Sequence, residues 1–310
     1  MKFAIVGAGG VGGLMGARLG QAGHKVSFLA RGANLQALRD KGLHLRTPAG
    51  EFDTGPLTAS DDPASLGVAD VVLITTKLYD LEQVARRAAP LANKDTLVVP
   101  VQNGVEAYEI LARALPHANV LKGTIYVSSF LTGPGQILQK APFCRLRFAS
   151  ATGKGVDAVI ALAATLAAAP GIEAAVSPDI DSDLWKKFIM LASFAAVSCL
   201  SRTNIGQVMA HAPSVDLLKQ AMAETIAVAR AKKIALPDDI EALTFKQMAQ
   251  FPGNAKPSML EDMEAGRPLE LDYLSGAVVR FGKALGIPTP VHDVAYRALS
   301  IHLGGRKASA

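Results

Sequence analysis

Cysteine is scarce in this 310-residue chain: the two present, Cys144 and Cys199, cannot build a disulfide framework, and neither has a metal-ligand spacing. The chain therefore reads as reduced and cytosolic. Aromatic residues make up only 5 %, and basic residues never run beyond pairs. That leaves little to stack on bases and excludes nucleic acid as the expected partner. Charge is also thin, at 19 % of residues, yet no apolar stretch reaches the roughly 20 residues of a membrane span. The longest, residues 188–200, is 13 residues broken by two serines, so no membrane partner is expected. The first apolar residues run into glycines too soon for a signal-peptide core of roughly 7–15 residues. What remains is plentiful apolar material, 50 % of the chain, enough for a sizeable core. At roughly 100–200 residues per domain the length suggests two domains. The net charge of +5 suits an anionic small ligand, and equally a solvated surface.

The order of patterns predicts the architecture. Residues 2–6 read as a buried strand, residues 14–22 as a helix and residues 25–30 as a second strand, which makes one βαβ unit. Further strands are expected at 71–75, 96–101, 120–130 and 143–148, with helices at 34–41, 81–91 and 105–115. Thr132-Gly-Pro-Gly135 reads as the turn of a hairpin at the sheet's edge. The alanine-rich stretch 158–175 reads as a helix followed by a short strand. From about residue 181 strand-like runs vanish, and helices are expected at 183–199, 215–233, 240–250, 269–286 and 291–302. The predicted fold is an α/β N-terminal doubly wound, Rossmann-type sheet in residues 1–180 plus an all-α C-terminal domain in residues 181–310.

Gly7-Ala8-Gly9-Gly10-Val11-Gly12 matches G-x-G-x-x-G in the right context, after a strand and opening a helix. Gly7 allows the tight turn, Gly9 lets backbone approach a pyrophosphate, and Gly12 lets helix and strand pack closely. The helix N-terminus offers N–H groups and a positive dipole end to phosphates. The end of the second predicted strand, Ala30-Arg31-Gly32, holds no acid to bond a ribose 2′-OH. Arg31 is instead suited to a 2′-phosphate, so NADP(H) is the expected cofactor and Arg31 its selector. Lys77 and Asn103 follow two later strands, where a doubly wound sheet binds ligands. Asn103 can donate and accept, as a nicotinamide amide or a substrate carbonyl requires. Asn-Gly is also an ordinary turn dipeptide.

In the second domain Lys187, Leu191 and Ala195 share one helix face by their spacing. That face is otherwise apolar, so Lys187 is either a desolvated amine able to exchange a proton near neutral pH or a lysine snorkelling from a core helix. Ser258 with Glu261 reads as a capping box at a helix start, either a cap alone or one that doubles as an anion site. Pro268, Glu270 and Asp272 suit the first turn of another helix.

Taken jointly, these pieces resemble the ketopantoate reductase (2-dehydropantoate 2-reductase) family. The resemblance runs through Gly7-x-Gly9-x-x-Gly12, Arg31-Gly32, Lys77, Gln102-Asn103-Gly104, Leu184-Trp185-x-Lys187, Ser258-Met259-Leu260-x-Asp262 and Glu270-x-Asp272-Tyr273. It implies NADPH-dependent reduction of a 2-keto acid to a 2-hydroxy acid, and the family name suggests pantothenate synthesis. By position it makes Lys187 the catalytic lysine and Glu270 the assisting acid, near the cofactor. Ser258 becomes a substrate-binding serine, and Asn103 an asparagine near nicotinamide and substrate. A cleft between the domains would close and exclude water. Members proper carry asparagines four and eight residues after the lysine. Here Leu191 and Ala195 stand there, and Ala255 stands three residues before Ser258, which predicts a more apolar or differently shaped substrate pocket. Two other readings stay open: a relative acting on another small keto acid, and a dinucleotide-binding sensor without turnover. The apolar stripes of the helical domain are enough for a homodimer, though a monomer would bury its core equally well.

Overall fold

A computed structural model describes residues 1–306, which divide into a first compact unit, Met1–Ile180, and a second that starts at Asp181. The first unit runs β1 (Lys2–Val6), α1 (Gly10–Gln21), β2 (Lys25–Leu29), α2 (Gly32–Asp40), β3 (His44–Thr47), β4 (Gly50–Asp53), β5 (Thr58–Ser60), β6 (Val71–Ile74), α3 (Leu81–Ala88), β7 (Leu97–Pro100), α4 (Ala107–Ala114), β8 (Asn119–Gly133), β9 (Gln136–Ser150), α5 (Val156–Ala167) and β10 (Glu173–Val176). Its strands form one sheet in the order β4-β3-β9-β8-β7-β6-β1-β2-β5, with β10 also paired to β9. From β5 to β8 every neighbouring pair is parallel. Within that parallel set the order is third, second, first, fourth, fifth, sixth, so the winding reverses beside β1, where such sheets bind ligands. β6 and β7 are buried throughout, as strands covered on both faces must be.

The expected doubly wound sheet is present, with three differences. β3, β4 and β5 were not anticipated: they are three or four residues long and mostly polar, so no apolar run announces them. The hairpin forms at the expected turn, with Gly135 at φ +72°, but it does not lie at the sheet's edge. β3 pairs parallel to one end of β9 and β10 to the other. Each hairpin strand is 15 residues long, because the ladder resumes beyond an irregular stretch that contains Pro142. Finally, α1 begins at Gly10 rather than near Leu14, its start masked by glycines that would ordinarily weaken a helix.

Among the described residues the second unit is helical: α6 (Ile180–Ser201), α7 (Ile205–Met209), α8 (Ala212–Ala231), α9 (Ile240–Ala249), α10 (Ser258–Glu264), α11 (Ser275–Leu285) and α12 (Pro290–Leu299). α6 is long and apolar enough to cross a membrane, but 78 % of its most apolar window is buried inside the protein, the pattern of a core helix. The helix expected over 269–286 is broken. A 3₁₀ turn at Leu271–Tyr273 precedes α11, and Leu274 between them is not helical. At the break the Asp272 carboxylate accepts from Tyr296 Oη at 2.9 Å, and its carbonyl accepts from Arg280 at 2.7 Å, which pairs that carbonyl outside a helical ladder. Pro268 consequently lies before the turn, not in a first helical turn. The Ser258–Glu261 capping box is also absent. The cap position of α10 is Pro257, without a side-chain bond, and Ser258 is already helical. A capping box does occur at the unanticipated α7, where Asn204 and Gln207 exchange bonds of 3.0 and 3.2 Å.

α12 is capped from a distance. Buried Glu224 of α8 accepts the N–H groups of Val291 (2.7 Å) and His292 (3.0 Å), two donors that a helix start leaves unpaired. The His292 ring is fully buried. Its Nε2 lies 3.1 Å from the Ala221 carbonyl and 2.9 Å from Thr225 Oγ1, and its Nδ1 lies 3.2 Å from Ser275 Oγ. A carbonyl only accepts, so Nε2 carries the hydrogen and neutral Nδ1 accepts from the serine.

Burial pushes the His292 value down from 6.5 to about 4. The unfolded chain therefore binds more protons between those values, and stability falls as pH drops from about 6.5 towards 4. Burial raises Glu224, which gives the opposite slope above the ordinary carboxylate value. In urea unfolding, the stability gap between wild type and His292→Gln should narrow on going from pH 7 to 4.5, by up to about 1.4 kcal/mol per unit. Parallel curves would mean the ring is not held neutral.

Candidate active site

The first unit gathers the predicted cofactor residues at the carboxyl ends of its parallel strands. The glycine loop follows β1, Arg31 follows β2, Lys77 follows β6 and Asn103 follows β7. Gly7 adopts φ +99°, which a side chain rarely tolerates. Thr75 Oγ1 donates to the Gly7 carbonyl at 2.5 Å and lies 3.1 Å from that of Val6. Buried Gln102 donates from Nε2 to the carbonyls of Ile74 (2.7 Å) and Thr76 (3.1 Å). Thr75 thus braces the glycine loop, and Gln102 holds the end of β6 beside it, roles that no local sequence pattern announces.

Gly7 and Gly12 meet the backbone constraints expected of them. A Cβ on Gly12 would stand 2.0 Å from the Gly7 carbonyl oxygen, whereas one on Gly9 would meet nothing within 4 Å. The space beside Gly9 is therefore open for a ligand, and α1 begins there with no side-chain cap and no acid in its first turn. Such an N-terminus fits a pyrophosphate. Gly10 is closed off on its other side: a Cβ would lie 2.3 Å from the Ser129 carbonyl oxygen, and Ser129 Oγ donates to the Gly10 carbonyl at 2.8 Å. Ala8 is buried and Val11 half-buried. Arg31 is exposed, with extended backbone, just before α2. Lys77 and Asn103 are half-buried, and Asn103 precedes Gly104 at φ +86°.

In the second unit Lys187 and Glu270 are brought together. Lys187 is 8 % exposed and Glu270 is 4 % exposed. Burial lowers the amine from 10.5 to about 8, and the Glu270 carboxylate works against that shift. The snorkelling alternative for Lys187 does not hold, since the side chain stays buried; its neighbour Lys186 is half-exposed, near Asp183. Leu191 and Ala195 follow Lys187 on α6, Ala195 fully buried and Leu191 half-buried. Ser258 stands half-buried at the start of α10, whose Asp262 is tied to Arg267 at 2.7 Å. Cys144 and Cys199 are both buried, their thiols pushed up to about 12 by desolvation. Among the described residues no group of three or more His, Cys, Asp or Glu is placed to hold a metal ion.

Fold and comparisons together define the class, an oxidoreductase. The model of the family "Ketopantoate reductase PanE/ApbA" matches residues 3–150, and that of its C-terminal domain matches residues 179–302. The chain belongs to the ketopantoate reductase PanE/ApbA family. It is 30 % identical over 302 residues to the uncharacterized oxidoreductase YkpB of Bacillus subtilis, covering 97 % of this chain and 99 % of the relative. It is 30 % identical over 315 residues to a 2-dehydropantoate 2-reductase of Mesorhizobium japonicum, covering 94 % and 95 %. A crystal structure of a PanE/ApbA family ketopantoate reductase from Ralstonia eutropha superposes with a TM-score of 0.87 at 32 % identity, covering 97 % and 98 %.

The glycine geometry separates two substitutions. Gly9→Ala places its methyl in open space at φ −76° and should change unfolding free energy by no more than about 0.5 kcal/mol. Gly12→Ala drives a methyl into backbone and should cost about 1–3 kcal/mol. Urea denaturation of both variants checks the difference.

Proposed function

We propose that this protein uses NADPH to reduce the ketone of a 2-keto acid to a 2-hydroxy acid. The observation that carries this reading is the Lys187 amine, sealed from water beside Glu270 and brought by burial to about 8. Such a group is still mostly ammonium at neutral pH, yet gives up its proton readily. Bound NADPH would supply a hydride to the carbonyl carbon. Backbone N–H groups of the loop from Gly7 to Gly12 would hold the pyrophosphate, and exposed Arg31 the 2′-phosphate. Lys77 and Asn103, at the ends of neighbouring strands, would face the rest of the cofactor. Lys187 stabilises the negative charge that develops on the substrate oxygen and then passes it a proton. Glu270 keeps the amine charged until that moment and orients it. Ser258 takes the substrate carboxylate.

The substrate this reading names first is 2-dehydropantoate, on the strength of relatives that bear that name. Another small 2-keto acid is the second reading, and Leu191 favours it. Between Lys187 and Cys199 every residue of α6 is buried except Leu191. The accessible surface one turn from the amine is therefore hydrocarbon, which suits an apolar substituent better than a hydroxyl.

Steady-state assays test this directly. NADPH oxidation by the purified protein against 2-dehydropantoate and a panel of alkyl 2-keto acids decides between the substrates. Lys187→Ala should lower kcat by roughly 10²–10⁴-fold with an unchanged circular dichroism spectrum. A folded variant with full kcat would end the assignment. Arg31→Ala should raise KM for NADPH roughly tenfold or more and leave KM for NADH nearly unchanged. An equal effect on both would remove Arg31 from the 2′-phosphate site.

A further inference from the structure

Asn34 lies in the first turn of α2, shortly after Arg31. Its side chain leaves that helix and joins two distant segments. Nδ2 donates to the Ala8 carbonyl of the glycine loop at 2.7 Å, and Oδ1 accepts the N–H of Gly135 in the β8–β9 turn at 2.8 Å. The partners are 26 and 101 residues away in the chain. The turn is itself fixed, since the Gly135 carbonyl accepts the His44 N–H at 2.8 Å. Asn34 therefore spans from a docked turn to the loop that opens α1.

The bond to Ala8 sets the orientation of a peptide plane. The chain has no cis peptide among its described residues, and in a trans peptide C=O and N–H point in opposite directions. Holding the Ala8 carbonyl towards Asn34 turns the Gly9 N–H the other way, at the glycine whose surroundings are open. Only a side chain with a donor and an acceptor at this length makes both bonds: an aspartate loses the donor, and a leucine loses both.

We infer that Asn34 is a positioning residue of the dinucleotide site, linking the turn that bears Arg31 to the glycine loop and so coupling recognition of the 2′-phosphate to recognition of the pyrophosphate. This rests on reading the first unit as an NADPH site. The coupling has a second consequence: order imposed on the glycine loop passes through the same amide to the β8–β9 turn.

The test uses the full chain. NADPH and NADH are titrated by nucleotide fluorescence into wild type, Asn34→Ala, Arg31→Ala and the double variant. Hydrogen exchange is followed at residues 133–136 with and without NADPH. Asn34→Ala should raise the NADPH Kd about tenfold and the NADH Kd by less. The double variant should lose less than the product of the single losses. In wild type NADPH should slow exchange in the turn, and in Asn34→Ala it should not. Unchanged affinity in a folded Asn34→Ala, or strictly multiplicative losses, overturns the inference. If Asn34→Ala does not fold, Asn34→Ser replaces it. The wild-type exchange measurement needs no variant, and absence of protection at the turn on saturation with NADPH is equally fatal. A wild type that binds no dinucleotide sinks the parent reading instead, so the two failures are distinguishable.

Discussion

Helix α1 lies on its sheet at a distance that side chains would forbid. A methyl on Gly10, Gly12, Gly13 or Gly16 would come within 2.3, 2.0, 2.6 or 2.3 Å of Ser129, Gly7, Ile137 or Phe28. Gly10 and Gly12 bring helix backbone against strand and loop backbone, and Gly13 and Gly16 bring it against the Ile137 and Phe28 side chains. Each glycine weakens a helix by about 1 kcal/mol relative to alanine, so α1 owes its existence to packing rather than to propensity. The closeness also fixes where its first turn ends up, at the mouth of β1 with its N–H groups facing open space. Packing density and ligand geometry are here one constraint.

The second unit handles buried charge in two different ways. Glu224 is satisfied by backbone: two N–H groups at the start of α12 stand in for the water it lost, and the helix dipole adds to them. Glu270 is matched to an amine that is itself short of water. The donors around Glu224 are backbone N–H groups and cannot titrate. The Lys187 amine beside Glu270, brought by burial to about 8, can lose its proton near neutral pH.

Legibility in the sequence followed the range of the interaction. β1, β6 and β7 were readable as continuous apolar runs, and the glycine loop through its spacing. The shared face of Lys187, Leu191 and Ala195 was visible from helical periodicity alone. β3 to β5 were not readable, since short polar strands carry no run. The hairpin's position inside the sheet was hidden as well, because it depends on β3 and β10 arriving from elsewhere. Ser258 and Glu261 have the spacing of a capping box without forming one, while Asn204 and Gln207 form one without having been noticed. Pattern permits a cap, and the backbone path decides whether it forms. Asn34, Gln102 and Glu224 act across gaps of 26 to 101 residues, and no local pattern encodes such a pairing.

The borders of the sheet carry a consequence of their own. One margin is β4, whose Gly-Glu-Phe-Asp sequence is mostly exposed and bears two acids. Another is β5, only three residues long, and a third is β10, four residues long and paired to β9. An unpaired strand margin is a template for another chain, and acidic or stunted margins are poor templates. A sheet this wide could otherwise recruit neighbours side by side into a ribbon. Short or acidic margins of this kind give lateral growth little foothold.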